Sequence, residues 1–293
     1  MTSNSNIDLY TDNDEGLLVR ETRKWTVGKI YFLARYIARF IVSMKGLRQH
    51  WHSINYIDLF SGPGKNRSPD GKIILGSPLI ALTQKQLFDR YYFSDLDENN
   101  IIALRQRCNK YTEHTKIMFK AEDANIFVDE VVDDIKKNDS KFESGKWSSS
   151  LNLAFLDPNG LELHWRTVAR LAELRTDLII YYSQMGISRN VLNEINLPPD
   201  TSIDLFFGDT AWRNIYKNNP PDNKRLHRAL LDYYKNKLGD FGYKVEDPLD
   251  EPVFRNSKEA PIYRLLFVSK HPLGNKFWTD VTKRYFDGQE RLF

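Results

Sequence analysis

Four aspartates, Asp58, Asp95, Asp123 and Asp157, spaced about thirty residues apart, carry the strongest chemical signal in this sequence. Asp58 opens Asp58-Leu59-Phe60-Ser61-Gly62-Pro63-Gly64, where glycines let backbone amides approach a ligand without interference from a Cβ. An acid ahead of glycines suits a cationic or amine-bearing ligand better than a polyphosphate, and neither Gly-x-Gly-x-x-Gly nor a P-loop is present. The alternative is an ordinary strand-to-loop turn. Asp95 and Asp97, in Phe93-Ser94-Asp95-Leu96-Asp97, stand where a strand-end carboxylate accepts ribose hydroxyls, or else cap the next helix. Asp123, followed by Ala124, has the same two readings. In Asp157-Pro158-Asn159-Gly160, proline fixes the chain direction and Asn-Gly permits a tight turn. This is the expected reaction corner, with the Asp157 carboxylate accepting a hydrogen bond from a substrate amine; a structural turn is the alternative.

Other chemistries are excluded by what is missing. Cys108 is the only cysteine, which removes a disulfide framework and a cysteine-built zinc knot. The six histidines never pair with acids at ligand spacing, so no metal site is expected, and no Gly-x-Ser-x-Gly elbow marks a hydrolase. His271, after the last strand, is the histidine placed to line a pocket, unless it is a plain loop residue. A basic helix at 222–238, with Lys224, Arg225 and Arg228, and the aromatics Trp165, Tyr181, Tyr182, Phe206, Phe207 and Trp212 form a candidate nucleic-acid groove. Its alternative is a solvated helix face above core aromatics. The formal charge of +3 does not by itself indicate nucleic-acid binding.

These residues need a frame. Ile30, Leu33, Ala34, Ile37, Ile41 and Met44 recur at helical spacing, predicting an amphipathic helix over about 21–44. Short β-branched and aromatic runs end at Asp58, Asp95, near Asp123, at Asp157 and at Ser183, with helical segments between them. Strands alternating with helices predict an α/β fold built on a mostly parallel sheet. Pro198, Pro199, Pro220 and Pro221 interrupt that rhythm, so a helical insertion of two helices is expected at about 187–240. Two late runs, 243–245 and 262–268, predict an antiparallel hairpin at the sheet edge. With 41% hydrophobic and 28% charged residues, the chain has enough apolar content for a real core. It reads as a polar lead-in over 1–20 and a single domain over 21–293. No apolar run reaches the ~20 residues of a bilayer span and no secretory signal opens the chain, so a cytoplasmic protein without a membrane partner is expected.

The order Asp-Leu-Phe-Ser-Gly-Pro-Gly, Ser-Asp-Leu-Asp, Glu-Asp-Ala-Asn, Leu-Asp-Pro-Asn-Gly resembles a class I S-adenosylmethionine-dependent methyltransferase. More narrowly, the stretches 56–64, 76–82, 93–97, 156–161 and 263–271, together with Lys29 and Tyr36, resemble the bacterial three-Cys-motif partner proteins, from about residue 20 onward. The resemblance implies a Rossmann-like class I methyltransferase fold with a seven-stranded sheet. It also implies S-adenosyl-L-methionine as cofactor and a cysteine-motif protein as partner. Asp58, Phe60, Gly62 and Gly64 would then hold the methionine part, and Asp95 with Asp97 the ribose. Asp123 and Ala124 would face the adenine, and Asp157, Pro158 and Asn159 would lie beside the methyl acceptor. That acceptor is expected to be a nitrogen, in nucleic acid by preference. A partner subunit that binds nucleotide without transfer, or a methyltransferase acting on protein or a small molecule, are the rival expectations. The sequence departs from amino-methyltransferases by carrying Asn159-Gly160 where they have proline and a stacking aromatic. Cytosine-5 chemistry is excluded because its Pro-Cys nucleophile is missing.

Overall fold

The computed structural model describes residues 9–11, 13–23, 25–47, 50–140, 149–219, 223–245 and 251–286. Residues 1–8 and 12 of the expected lead-in, and Pro220, Pro221 and Asp222 of the expected insertion, lie outside the described residues. Two short strands, β1 (Tyr10–Thr11) and β2 (Arg20–Glu21), precede α1 (Trp25–Gly46). Next come β3 (Ile54–Asp58), β4 (Lys65–Arg67), β5 (Ile73–Leu75) and α2 (Ser77–Leu82). Strand and helix then alternate through β6 (Arg90–Asp95), α3 (Glu98–Cys108), β7 (Lys116–Ala121), α4 (Ala124–Asp139), β8 (Leu151–Leu156), α5 (Trp165–Ala172) and β9 (Thr176–Tyr182). The helices α6 (Gln184–Glu194), α7 (Ser202–Phe207), α8 (Trp212–Asn218) and α9 (Asn223–Asp240) follow. The chain continues through β10 (Lys244–Val245), β11 (Val253–Arg255), β12 (Pro261–Ser269) and α10 (Pro272–Phe286).

The main sheet runs β10-β12-β9-β8-β3-β6-β7, with β11 added along the free edge of β12. From β9 to β7 every pairing is parallel, whereas β12 is antiparallel to both β9 and β10. This is a Rossmann-like order with an antiparallel strand inserted before the last one, the class I methyltransferase fold. The late hairpin lies at the edge where the sequence places it, and β11 makes the sheet eight-stranded rather than seven-stranded. Side chains of β3 alternate between two cores: Ile54 and Tyr56 join one, Ile57 the other. The first core is closed by α1, whose predicted stripe Ile30, Leu33, Ala34, Ile37, Ile41 and Met44 is buried. Helices on both faces explain why β3 and β9 are buried at every position.

Three features differ from the sequence reading. Residues 9–21 are not merely a lead-in: β1 and β2 enter a second small sheet, β1-β5-β4-β2, built on the loop after β3. Strands of two or three residues are too short to show an alternating pattern. The insertion holds four helices rather than two, because Thr201 starts α7 with a capping box and Gly208 ends it in a left-handed conformation. The aromatics proposed for a nucleic-acid groove are core residues: Tyr181, Tyr182, Phe206, Phe207 and Trp212 are at most 1% exposed, and Trp165 is also buried. Among the described residues no helix is long and apolar enough to cross a membrane, and no cluster of His, Cys, Asp or Glu could hold a metal ion.

Candidate functional site

In the chain path from β3 out to β6 and β7, and then back to β8, the winding reverses between β3 and β8, whose carboxyl ends are Asp58 and the Leu156–Asp157 corner. Open parallel sheets bind ligands at this place. Two cavities open there, of about 290 and 210 Å³, and share Arg20, Phe60, Asp157 and Asn159 as walls. Gly62, Gly64, Pro158, Asn159, Lys29, Arg189 and Tyr263 line the larger one. Leu59, Phe60, Asp95, Leu96, Asp123 and Ala124 line the smaller.

Asp95 organises the turn after β3. Its Oδ2 accepts from the Gly62 amide at 2.9 Å and from Arg20 Nη2 at 3.4 Å. Its Oδ1 accepts from the Asp97 amide at 3.0 Å and from Asn100 Nδ2 at 2.9 Å. Arg20 reaches it because buried Arg107, on α3, staples the preceding segment to the turn. Arg107 donates to the Leu18, Asp14 and Pro63 carbonyls at 2.7, 2.9 and 2.6 Å and pairs with Glu15. Sequence reasoning missed Arg20 and Arg107, since nothing in a polar segment announces a partner about ninety residues away.

Gly64, with φ +88°, accounts for the closeness of the turn to α3. A Cβ there would stand 2.8 Å from Leu104 Cδ1. Gly64→Ala therefore combines backbone strain with overpacking and is expected to cost about 2 kcal/mol; urea denaturation reads it, and an unchanged midpoint and slope would contradict the account.

Asp58 does not reach either cavity. It is fully buried under the turn, its Oδ1 accepts from the Phe60 amide at 3.3 Å, and its Oδ2 has no hydrogen-bond partner within standard geometry among the described residues. Burial pushes its carboxyl up to about 7; the Ser77 hydroxyl and Phe60 amide oppose this, and the charges of Asp157 and Asp95 add to it. A carboxyl raised in the folded state stabilises the fold in its neutral form. That contribution is complete below the ordinary aspartate value near 4 and is lost as pH rises through 7. Between pH 5 and 7, wild type is expected to lose about 2 kcal/mol more stability than Asp58→Asn, read by urea denaturation at each pH. Parallel pH profiles would refute the assignment.

The Asp157 corner is already engaged. Lys29, from α1, donates to both Asp157 oxygens at 2.8 and 2.7 Å, with its ammonium 4.3 Å from the centre of the Tyr181 ring. Tyr263 stacks on Tyr181 and donates to the Asn159 carbonyl at 2.9 Å. Asn125 clamps the same loop onto α4, donating to the Glu162 carbonyl at 2.9 Å and accepting from the His164 amide at 2.9 Å. Asp123 caps α4, with its Oδ1 accepting from the Asn125 amide at 2.6 Å. It also lines the smaller cavity, so the cap does not remove it from the crevice. Asp97 is the cap of α3, accepting from the Asn99 amide at 2.9 Å, and lines neither cavity.

Several expected residues are not brought here. Lys224, Arg225 and Arg228 start α9 and line neither cavity; Arg228 pairs with Asp232 at 2.5 Å. His271 also lies elsewhere. β12 is antiparallel, so the residues after it emerge beside the start of β9, at the opposite end of the sheet, where His271 Nδ1 accepts from the Leu273 amide. Tyr36 donates to Asp177 at that same end. Arg20, Arg189, Tyr263 and Asn125 were missed. Asn125, the last residue of Glu-Asp-Ala-Asn, and Tyr263, inside a resembling stretch, left a sequence signal; Arg20 and Arg189 left none.

No family model matches this chain, and no curated protein does. Solved structures are similar to it. Protein LPL1258 from Legionella pneumophila is 10% identical, with 88% of this chain and 93% of that one covered at a TM-score of 0.46. A putative methyltransferase, YhhF, from Escherichia coli is 11% identical, with 80% and 86% covered at 0.37. Magnesium protoporphyrin IX methyltransferase from Synechocystis, solved with bound SAM, is 11% identical, with 83% and 80% covered at 0.38. With TM-scores below 0.5, none of these bears on function, which is argued from the chain's own residues.

Proposed function

We propose that the protein binds S-adenosylmethionine in this crevice and transfers its methyl group to a nitrogen acceptor. The observation that carries the reading is the convergence, at the switch point, of the glycine turn, Asp95, Asp123 and the Asp157 corner around two adjoining cavities. The residues fit the cofactor. Gly62 and Gly64, which line the larger cavity with no side chain in the way, form the turn that would carry the cationic methionine end. Asp95 accepts from Arg20 only at 3.4 Å, the weakest of its four bonds and the one a ribose hydroxyl would replace. Leu59, Phe60, Leu96 and Ala124 offer apolar walls for an adenine beside Asp123.

Bound there, the cofactor would supply an electrophilic methyl on a sulfonium. The chain's own contribution is placement: Pro158 and the Asn159 carbonyl, held by Tyr263, fix the corner, and Asp157 orients the acceptor. The Lys29 ion pair occupies Asp157 meanwhile, which favours a second reading: a nucleotide-binding subunit without transfer. In that reading the chain serves a cysteine-motif protein, as the motif resemblance suggests. Incubation with methyl-labelled cofactor and total RNA, DNA, protein and small-molecule fractions separates the two. Label in any fraction supports transfer; cofactor binding with no label in any fraction supports the subunit.

A further inference from the structure

We infer that the larger cavity takes an acceptor bearing a phosphate monoester, held by Arg189. The walls of that cavity carry Arg20, Arg23, Lys29 and Arg189 against two carboxylates, Glu21 and Asp157. Cations outnumber carboxylates on these walls, which suits an anionic group such as a phosphate monoester. The cations have separable tasks. Lys29 is matched by Asp157. Arg20 leans on Asp95, and its guanidinium carbon lies 3.4 Å from where a Gly62 Cβ would stand, so it belongs with the glycine turn.

Arg189 stands apart from that turn. It sits on α6, immediately after β9, and makes no hydrogen bond or ion pair with any described residue. It lines the same cavity as Asp157, Asn159 and Tyr263, which fixes the Asn159 carbonyl, so it borders the acceptor corner. A guanidinium fork with no partner among the described residues, at the wall of a polar cavity, is suited to an oxyanion that it can bind bidentately. The cavity, of about 290 Å³, has the glycine turn as one wall and the Arg189 side as another, so the acceptor shares it with the methionine end of the cofactor. The basic residues expected to track a polynucleotide line neither cavity. A small phosphorylated acceptor is therefore the better fit.

The role of acceptor rests on the methyltransferase reading, whereas anion binding at Arg189 does not. Uridine 5′-monophosphate, uridine, inorganic phosphate and a dinucleoside monophosphate lacking a terminal phosphate are titrated into the full chain and into R189Q. S-adenosylhomocysteine is titrated in parallel. Arg189 is exposed, so R189Q is expected to fold as wild type does. The mononucleotide and phosphate are expected to bind wild type about tenfold tighter than R189Q, with S-adenosylhomocysteine unchanged within about twofold. Three results would each overturn the inference: equal mononucleotide binding by the two proteins, an equal loss of S-adenosylhomocysteine, or a diester that binds as well as the monoester. If S-adenosylhomocysteine fails to bind wild type while the phosphate effect remains, the methyltransferase reading falls and the anion site stands.

Discussion

Asp95→Ala is expected to weaken S-adenosylhomocysteine binding at least about a hundredfold and to destabilise the fold by about 3 kcal/mol. The carboxylate takes two backbone amides, the Asn100 amide and the Arg20 guanidinium, and its removal orphans donors that are largely buried. Each orphaned buried donor costs about 1–3 kcal/mol, and the turn that it fixes loses its anchor as well. Every partner of Asp95 is a donor. An asparagine there must turn its own NH2 toward one of them, so Asp95→Asn is expected to do little better than alanine. Calorimetric titration and urea denaturation read the two effects. Full cofactor affinity in Asp95→Asn would mean that the donors organise around something other than the carboxylate.

The second large effect concerns Lys29. Its bidentate pair with Asp157 is mostly enclosed, with 12% and 17% of the two side chains exposed. Removing one member of a fully buried pair costs about 3–5 kcal/mol; partial exposure lowers the expectation for Lys29→Met to about 2 kcal/mol. Lys29→Met/Asp157→Asn, which removes both charges, is expected to regain about half of that loss. If transfer occurs, a corner released from Lys29 is also expected to lose about a hundredfold in rate, with cofactor affinity changed less than about threefold. Additive costs in the double variant would show that the two residues do not act as a pair, and an unchanged transfer rate would make Lys29 structural only.

The frame of the site was legible because it is built from long regular signals. The strand-ending acids announce βα units, and the α1 stripe is continuous over many turns. The turn that leaves β8 was visible in Asp157-Pro158-Asn159-Gly160, since proline and glycine constrain the backbone locally. Legibility ended where a role depends on a distant partner. The Lys29–Asp157 pair spans 128 residues, and Arg107 reaches the lead-in across about ninety. Neither leaves a pattern in its own neighbourhood. Asp58 was expected at the ligand, but it ends its strand one layer below the turn and acts through the Phe60 amide. His271 was expected at the pocket because it follows a strand. A reversed strand delivers its trailing loop to the far end of the sheet, and only the pairing of β12 with β9 shows that reversal.

Isothermal titration of S-adenosylhomocysteine into the full chain, with adenosine and methionine as separate controls, tests the crevice most directly. One site per chain is expected, bound by the whole compound far more tightly than by either part, and lost in Asp95→Ala. No heat with wild type, or undiminished binding by Asp95→Ala, would contradict it.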